Sequence, residues 1–331
     1  MTQITTTVDY AAPGRQVGWL RVPHSVTRSA YGVVPVPIAV FNNGDGPSIL
    51  LTAGNHGDEY EGQIVLTRLI QRLPPEDIRG RVIVIPSLNT PAAIAGTRVS
   101  PLDQGNLNRA FPGDPDGGPT WKIADYLHNH LVPMVDVVAD FHCGGGSLAY
   151  RPHASTHFSP DASPELKARS LAAVKSLGLR HVMIFETAAR AGGMSTATRE
   201  HRKIYINGEY GGTGALTPEG LALVEGAVAR LLAFFGATDE TFEPAPPPVA
   251  LHVFGPRAYV YAPEAGVFVQ ATRLGDTVAE GDLCGELFFP ENPGRAPIRL
   301  HFEAAGDVVC QRHPARVERG DCVAHLARPV G

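Results

Sequence analysis

Through the first two-thirds of the chain, hydrophobic residues fall into short, nearly unbroken blocks. SerIleLeuLeuThrAla at 48–53, ArgValIleValIlePro at 81–86, ValAspValValAlaAspPhe at 135–141 and HisValMetIlePhe at 181–185 are the clearest. Blocks this short and this rich in β-branched residues predict strands buried on both faces of a sheet. Between them, apolar positions recur at helical spacing over 60–73, 120–131, 164–177 and 218–235. That alternation predicts an α/β fold, with a mostly parallel mixed sheet flanked by helices. Residues 14–42 read instead as extended strands pairing antiparallel at a sheet edge.

The pattern breaks at ThrAspGluThrPheGluProAlaProProProVal, residues 238–249, whose acidic and proline-rich composition is that of a linker. The chain therefore divides into a larger unit over 1–240 and a small all-β sandwich or barrel over 250–331. In this tail LeuGlyAspThrValAlaGluGlyAsp, residues 274–282, resembles a half-repeat of biotinyl/lipoyl-type domains, with Gly275 and Gly281 forming turns around Val278. No lysine follows Lys203, so the tail has no acceptor for a swinging-arm cofactor and is expected to serve as structure, interface or lid.

A net charge of −5 gives no electrostatic reason to expect nucleic acid or an anionic membrane as a partner. No apolar run approaches the ~20 residues of a membrane span. The opening MetThrGlnIleThrThrThrValAspTyr lacks the basic start and apolar core of a secretory signal, so a cytoplasmic location is expected. Cys143, Cys284, Cys310 and Cys322 form neither a CxxC pair nor a disulfide framework, and are expected to be reduced and mostly buried. The oligomeric state stays open, with a homodimer among the options.

The chemistry concentrates at two strand ends. In LeuThrAlaGlyAsnHisGlyAspGluTyrGluGly, residues 51–62, a buried strand runs into glycines, and His56 and Glu59 stand three apart where a helix begins. Taken alone, this pair reads more simply as a helical first turn whose acidic residues favour the helix dipole. AlaAspPheHisCysGlyGlyGly, residues 139–146, supplies a second strand end with a histidine, His142. Two histidines and a carboxylate make the donor set of a catalytic zinc with a position left open. Asp140, two residues before His142 and on the same side of the strand, could orient an imidazole or make an ordinary hydrogen bond.

Two further segments carry polar residues in glycine-rich surroundings. The loop 98–114 holds Arg98, Asn108 and Arg109, whose guanidinium groups suit a carboxylate or an oxyanion and equally suit a solvated surface. Glu209 follows a strand-like run in IleTyrIleAsnGlyGluTyrGlyGly, where a carboxylate could act as a general base. Cys143 with a histidine is a weaker, nucleophilic alternative.

Together HisGlyAspGlu, AsnLeuAsnArgAlaPheProGly, AspPheHis and GlyGluTyrGlyGly resemble the succinylglutamate desuccinylase/aspartoacylase branch of the zinc carboxypeptidase-like hydrolases, over about 45–235. The resemblance implies one Zn²⁺ on His56, Glu59 and His142. It also implies Asn108 and Arg109 on the substrate carboxylate, Arg98 on the scissile carbonyl, and Glu209 as base and then proton donor. The implied reaction is hydrolysis of a small N-acyl amino acid. The narrower expectation is deacetylation of N-acetyl-2,4-diaminobutyrate in ectoine breakdown. The cationic second amine of that substrate would call for an acidic partner such as Asp114, Asp116 or Glu186, and glycines 144–146 would line a shallow acyl pocket. Succinyl or aspartyl amides, a short-peptide carboxypeptidase and a non-catalytic binding protein remain alternatives.

Overall fold

The apolar block at 48–53 forms the strand Ser48–Ala53, five of whose six residues are buried. It lies inside a sheet between Gly80–Ile85 and Val137–His142 and runs parallel to both. Successive residues of a strand face opposite sides, which accounts for the unbroken apolar run. Ile49 and Leu51 pack with Val65, Leu66, Val174 and Leu231 from the helices Tyr60–Arg72, Pro164–Ser176 and Pro218–Phe234. Leu50 packs on the other side with Ile83, Ile123 and Met194. The computed structural model describes residues 3–186 and 192–330.

Outward from Ser48–Ala53, the antiparallel strands Val33–Asn43 and Gly14–Pro23 close one edge, as the pattern at 14–42 predicts. In the other direction follow Val137–His142, Ile204–Glu209, His153–Phe158 and His181–Glu186. All of these neighbours are parallel except the Ile204–Glu209/His153–Phe158 pair. The architecture is thus the mixed α/β sheet expected. His153–Phe158 does not stand out in the sequence because HisAlaSerThrHisPhe carries polar residues on one side. That side is not wet: His153 and Ser155 are buried. The helix expected over 120–131 is Pro119–Tyr126 followed by a single π turn, Leu127–Leu131.

The same sheet continues into the tail. His181–Glu186 pairs with Val249–His252, which pairs with Cys322–Pro329, which pairs with Gly306–Arg312. A second link joins Leu148–Tyr150 to Gly306–Arg312. A separate antiparallel sheet of four strands packs on this extension around Phe268, Leu287, Phe302 and Leu326. Gly275 and Gly281 turn with φ of 92° and 90° on either side of the buried Val278, a conformation open to glycine. Among the described residues no helix is long and apolar enough to cross a membrane.

Leu51 is fully buried between sheet and helices. Leu51→Ala is expected to lower stability by about 2–5 kcal/mol, read as a shifted urea midpoint at unchanged slope. Val17→Ala, at a position 61% exposed on the edge, should shift it by no more than about 0.5 kcal/mol.

Candidate metal centre and active site

Where Ser48–Ala53 ends, Gly54 turns with a φ of 68° and the chain crosses the sheet edge before the helix starts at Tyr60. Gly57 fits this turn against the helix Thr90–Ala95. A Cβ there would lie 2.0 Å from the Ala92 carbonyl carbon. The turn holds His56 and Glu59 beside His142, the last residue of the neighbouring parallel strand Val137–His142. His56 Nδ1 stands 2.7 Å from Glu59 Oε1, and His142 Nδ1 stands 2.8 Å from Glu59 Oε2. All three residues are buried, and one ligand atom from each lies within 4.8 Å of the others.

The outer shell fixes which ring nitrogens face inward. His142 Nε2 lies 2.8 Å from Asp140 Oδ2, a carboxylate that also accepts from Thr52 Oγ1 and Asn55 Nδ2. A carboxylate only accepts, so His142 Nε2 donates to Asp140, and Nδ1 is the nitrogen turned to the cluster, where it gives a proton to Glu59 or binds a cation in that proton's place. His56 Nε2 lies 3.2 Å from Asn106 Oδ1, and the Asn108 backbone N–H donates to the same oxygen, which identifies it as the acceptor. His56 Nδ1 is thereby the nitrogen turned toward Glu59. Two imidazole nitrogens, once relieved of their protons, and a carboxylate aimed at one point form the donor set of a divalent cation. The residues therefore fit the metal that the motif implies.

The electrostatics agree with that reading. Burial alone would raise Glu59, but His56 and His142 outweigh it and hold the carboxyl below the usual range. Burial opposes charge on His142 too, yet Asp140 and Glu59 raise it well above an ordinary histidine. The cluster demands positive charge, and either a proton or a metal cation meets that demand.

Glu209 ends the strand Ile204–Glu209, in register beside His142 on one neighbour and His153 on the other. Its Oε2 is buried with no hydrogen-bond partner. Burial and the nearby Glu59 push the carboxyl up to about 8, against the pull of His142 and Arg98. Arg98 follows the helix Thr90–Ala95 and brings Nη1 to 3.4 Å from His56 Nδ1 and 3.5 Å from Glu59 Oε1. Asn108 and Arg109 lie on the turn Leu107–Arg109. Asn108 Oδ1 accepts from the Met194 N–H, and the exposed Arg109 donates to the Asn108 carbonyl at 2.7 Å. From His56 Nε2 a hydrogen bond runs to Asn106 Oδ1, in the same AsnLeuAsnArg run as Asn108 and Arg109, a residue which motif and spacing do not single out.

The remaining candidates fall elsewhere. The Cys143 backbone N–H donates to Glu59 Oε2, and burial, then Glu59 and Glu61, push its thiol far up, so it is no thiolate nucleophile. Asp114 and Asp116 are exposed: Asp114 accepts from the Asp116 N–H, and Asp116 accepts from Gln3. Glu186 pairs with Lys167 at 2.6 Å on the surface. Gly144 answers to the turn itself, since a Cβ would lie 2.0 Å from the Leu148 carbonyl oxygen.

Residues 45–235 match the succinylglutamate desuccinylase/aspartoacylase catalytic domain. The chain is 42% identical over 329 residues to the N-alpha-acetyl-L-2,4-diaminobutyric acid deacetylase of Halomonas elongata, spanning 99% of this chain and 95% of that protein. The product-bound structure of the ectoine utilization protein EutE (DoeB) from Ruegeria pomeroyi superposes with a TM-score of 0.94 at 35% identity, covering 99% of each chain. A succinylglutamate desuccinylase structure from Silicibacter sp. TM1040 also gives 0.94 at 35% identity, covering 100% of this chain and 99% of the other.

Asp140→Asn is expected to weaken zinc binding by about 10–100-fold, the usual effect of disturbing a ligand's outer partner. Competition titration with a chelating dye measures it, and an unchanged affinity would remove Asp140 from the metal's support.

Proposed function

Because the chain belongs to the succinylglutamate desuccinylase/aspartoacylase family, we propose that it is a zinc-dependent amidohydrolase. Its proposed substrate is N-alpha-acetyl-L-2,4-diaminobutyrate, cleaved to acetate and 2,4-diaminobutyrate in ectoine degradation. The observation carrying the chemistry is the convergence of the His56 and His142 ring nitrogens on Glu59 beside Glu209. The acetyl group and the amino acid rest on the relative of Halomonas elongata. The chemistry is assigned to residues 1–240, with 250–331 as a smaller β unit.

In this reading His56, Glu59 and His142 hold the zinc, which supplies Lewis acidity that acidifies water and polarises a carbonyl. Asn108 and Arg109 hold the substrate carboxylate. Glu209 takes a proton from the attacking water, and its position in register with His142 puts it at the same strand end. The new C–O bond forms as the amide C–N bond breaks. Glu209 returns the proton to the departing nitrogen, so acetate and a free amine leave. Arg98, already beside the ligands, offers N–H groups to the carbonyl oxygen as negative charge builds there.

Glu209→Gln should lower kcat by about 10²–10⁴ while the bound metal, measured by elemental analysis, stays. Arg98→Ala should lower it by about 10²–10³, also with metal retained. Acetate release from N-acetyl-2,4-diaminobutyrate should stop with a chelator and return with zinc. Release of succinate from a succinyl amino acid at a higher kcat/KM would instead make the chain a desuccinylase. Activity indifferent to chelation would overturn the metal mechanism.

A further inference from the structure

A cavity of about 210 Å³ lies next to Glu209, between the strands Ile204–Glu209 and His153–Phe158 and the tail. The first part of the chain lines it with His153, Ser155, His157 and Asn207, and the tail contributes Tyr259 and His325. Among its described lining residues there is no lysine or arginine, and the one carboxyl is Glu209. Asp114, Asp116 and Glu186, the acidic groups expected to meet a second amine, do not line it.

The polar groups of this cavity offer lone pairs. Burial pushes His153, His157 and His325 down to about 4, so each is a neutral imidazole with one N–H and one acceptor nitrogen. His153 Nδ1 donates to the Arg151 carbonyl at 3.0 Å, which leaves Nε2 as an acceptor. His325 is 6% exposed, and its Nδ1 is buried with no hydrogen-bond partner. Glu209 Oε2 is in the same condition. Buried polar atoms of this kind are normally satisfied, so two of them on one cavity point to a missing polar partner. The three histidines do not form a metal-holding group: among the described residues, His56, Glu59 and His142 alone make one. The rings of Tyr150 and Tyr259 lie with centroids 5.6 and 5.0 Å from that of His325, so the cavity has aromatic walls beside it. Acceptors, aromatic walls and the Glu209 carboxyl suit an organic ammonium, whose positive charge favours the ionised form of that carboxyl. A guest carboxylate would find no cation there, and an acyl methyl would strand the acceptors.

We propose that this cavity is the subsite for the side-chain ammonium of the substrate's amino-acid half, and that His325 accepts one of its hydrogen bonds. The proposal rests on the deacetylase reading above and gives it a source of selectivity. The tail thereby contributes a substrate-binding residue to a site whose metal ligands all lie in the first part of the chain.

The test compares N-acetyl-2,4-diaminobutyrate with N-acetyl-2-aminobutyrate, which lacks only the terminal amine, on the zinc-loaded full chain. The unaltered enzyme should prefer the amine. In His325→Leu the ratio of kcat/KM between the two substrates should fall by about 10–100-fold, the size of one hydrogen bond to a charged group. The loss should appear in KM for the charged substrate, with bound zinc and melting temperature retained. His325→Gln, which keeps an acceptor, should recover most of the ratio and guards against a folding defect in the leucine variant. Equal loss on both substrates, or an unaltered enzyme indifferent to the amine, overturns the subsite and leaves the deacetylase standing. Variants that change the preference between acetyl and propionyl amides, with the amine preference intact, would assign the cavity to the acyl half and equally overturn it. If the unaltered enzyme releases acetate from neither substrate, the deacetylase reading falls and the subsite with it.

Discussion

Glu59 sits between two imidazoles, almost out of contact with water, and the rest of the site follows from keeping it charged there. Removing a carboxylate from water costs several kcal/mol even after the protein relaxes, unless positive charge and hydrogen bonds compensate. His56 and His142 compensate on the inside, and the Cys143 N–H adds a further contact. Asp140 and Asn106 then turn the rings. Asp140 is itself buried and is held by Thr52 and Asn55. Each layer is anchored by the next, so the ligands are in place before any cation arrives, at the carboxyl ends of parallel strands where α/β sheets place their ligands.

The same arrangement separates the roles of two glutamates. Glu59 is flanked by imidazoles on both sides and is drawn below the usual range. Glu209, two strands further on, feels burial and the negative charge of Glu59, and is pushed the other way. A carboxylate held charged and a carboxyl that keeps its proton more readily thus arise from one residue type, distinguished by what lies next to each.

The parts legible in the sequence are those whose cause is local. An apolar block that ends in glycine and then a histidine states both the strand and the polar end, and so Ser48–Ala53, Val137–His142 and the residues His56, Glu59 and His142 stand out. Arg98 is legible as a chemical type, and its approach to the ligands is a matter of the fold. Asn106 is not legible, because its importance comes from a ring fifty positions away in sequence. His153–Phe158 escapes notice for the opposite reason. Alternating polarity ordinarily marks a wet face, whereas here it faces an internal space that wants polar walls. Asp114, Asp116 and Glu186 suit an amine by charge alone, and the fold leaves them on the surface.

The continuous sheet also has a bearing on how the molecule is assembled during synthesis. His181–Glu186 finds its outer neighbour only when Val249–His252 has been made, and that strand waits in turn for Cys322–Pro329. Until then one edge of the growing sheet is open, with a row of unpaired backbone groups that invites pairing with another chain. Pairings so distant in sequence form slowly. The nascent chain therefore passes through an interval in which His56, Glu59 and His142 have all been made while its sheet edge is still bare, and a chaperone covering that edge would have its greatest effect there.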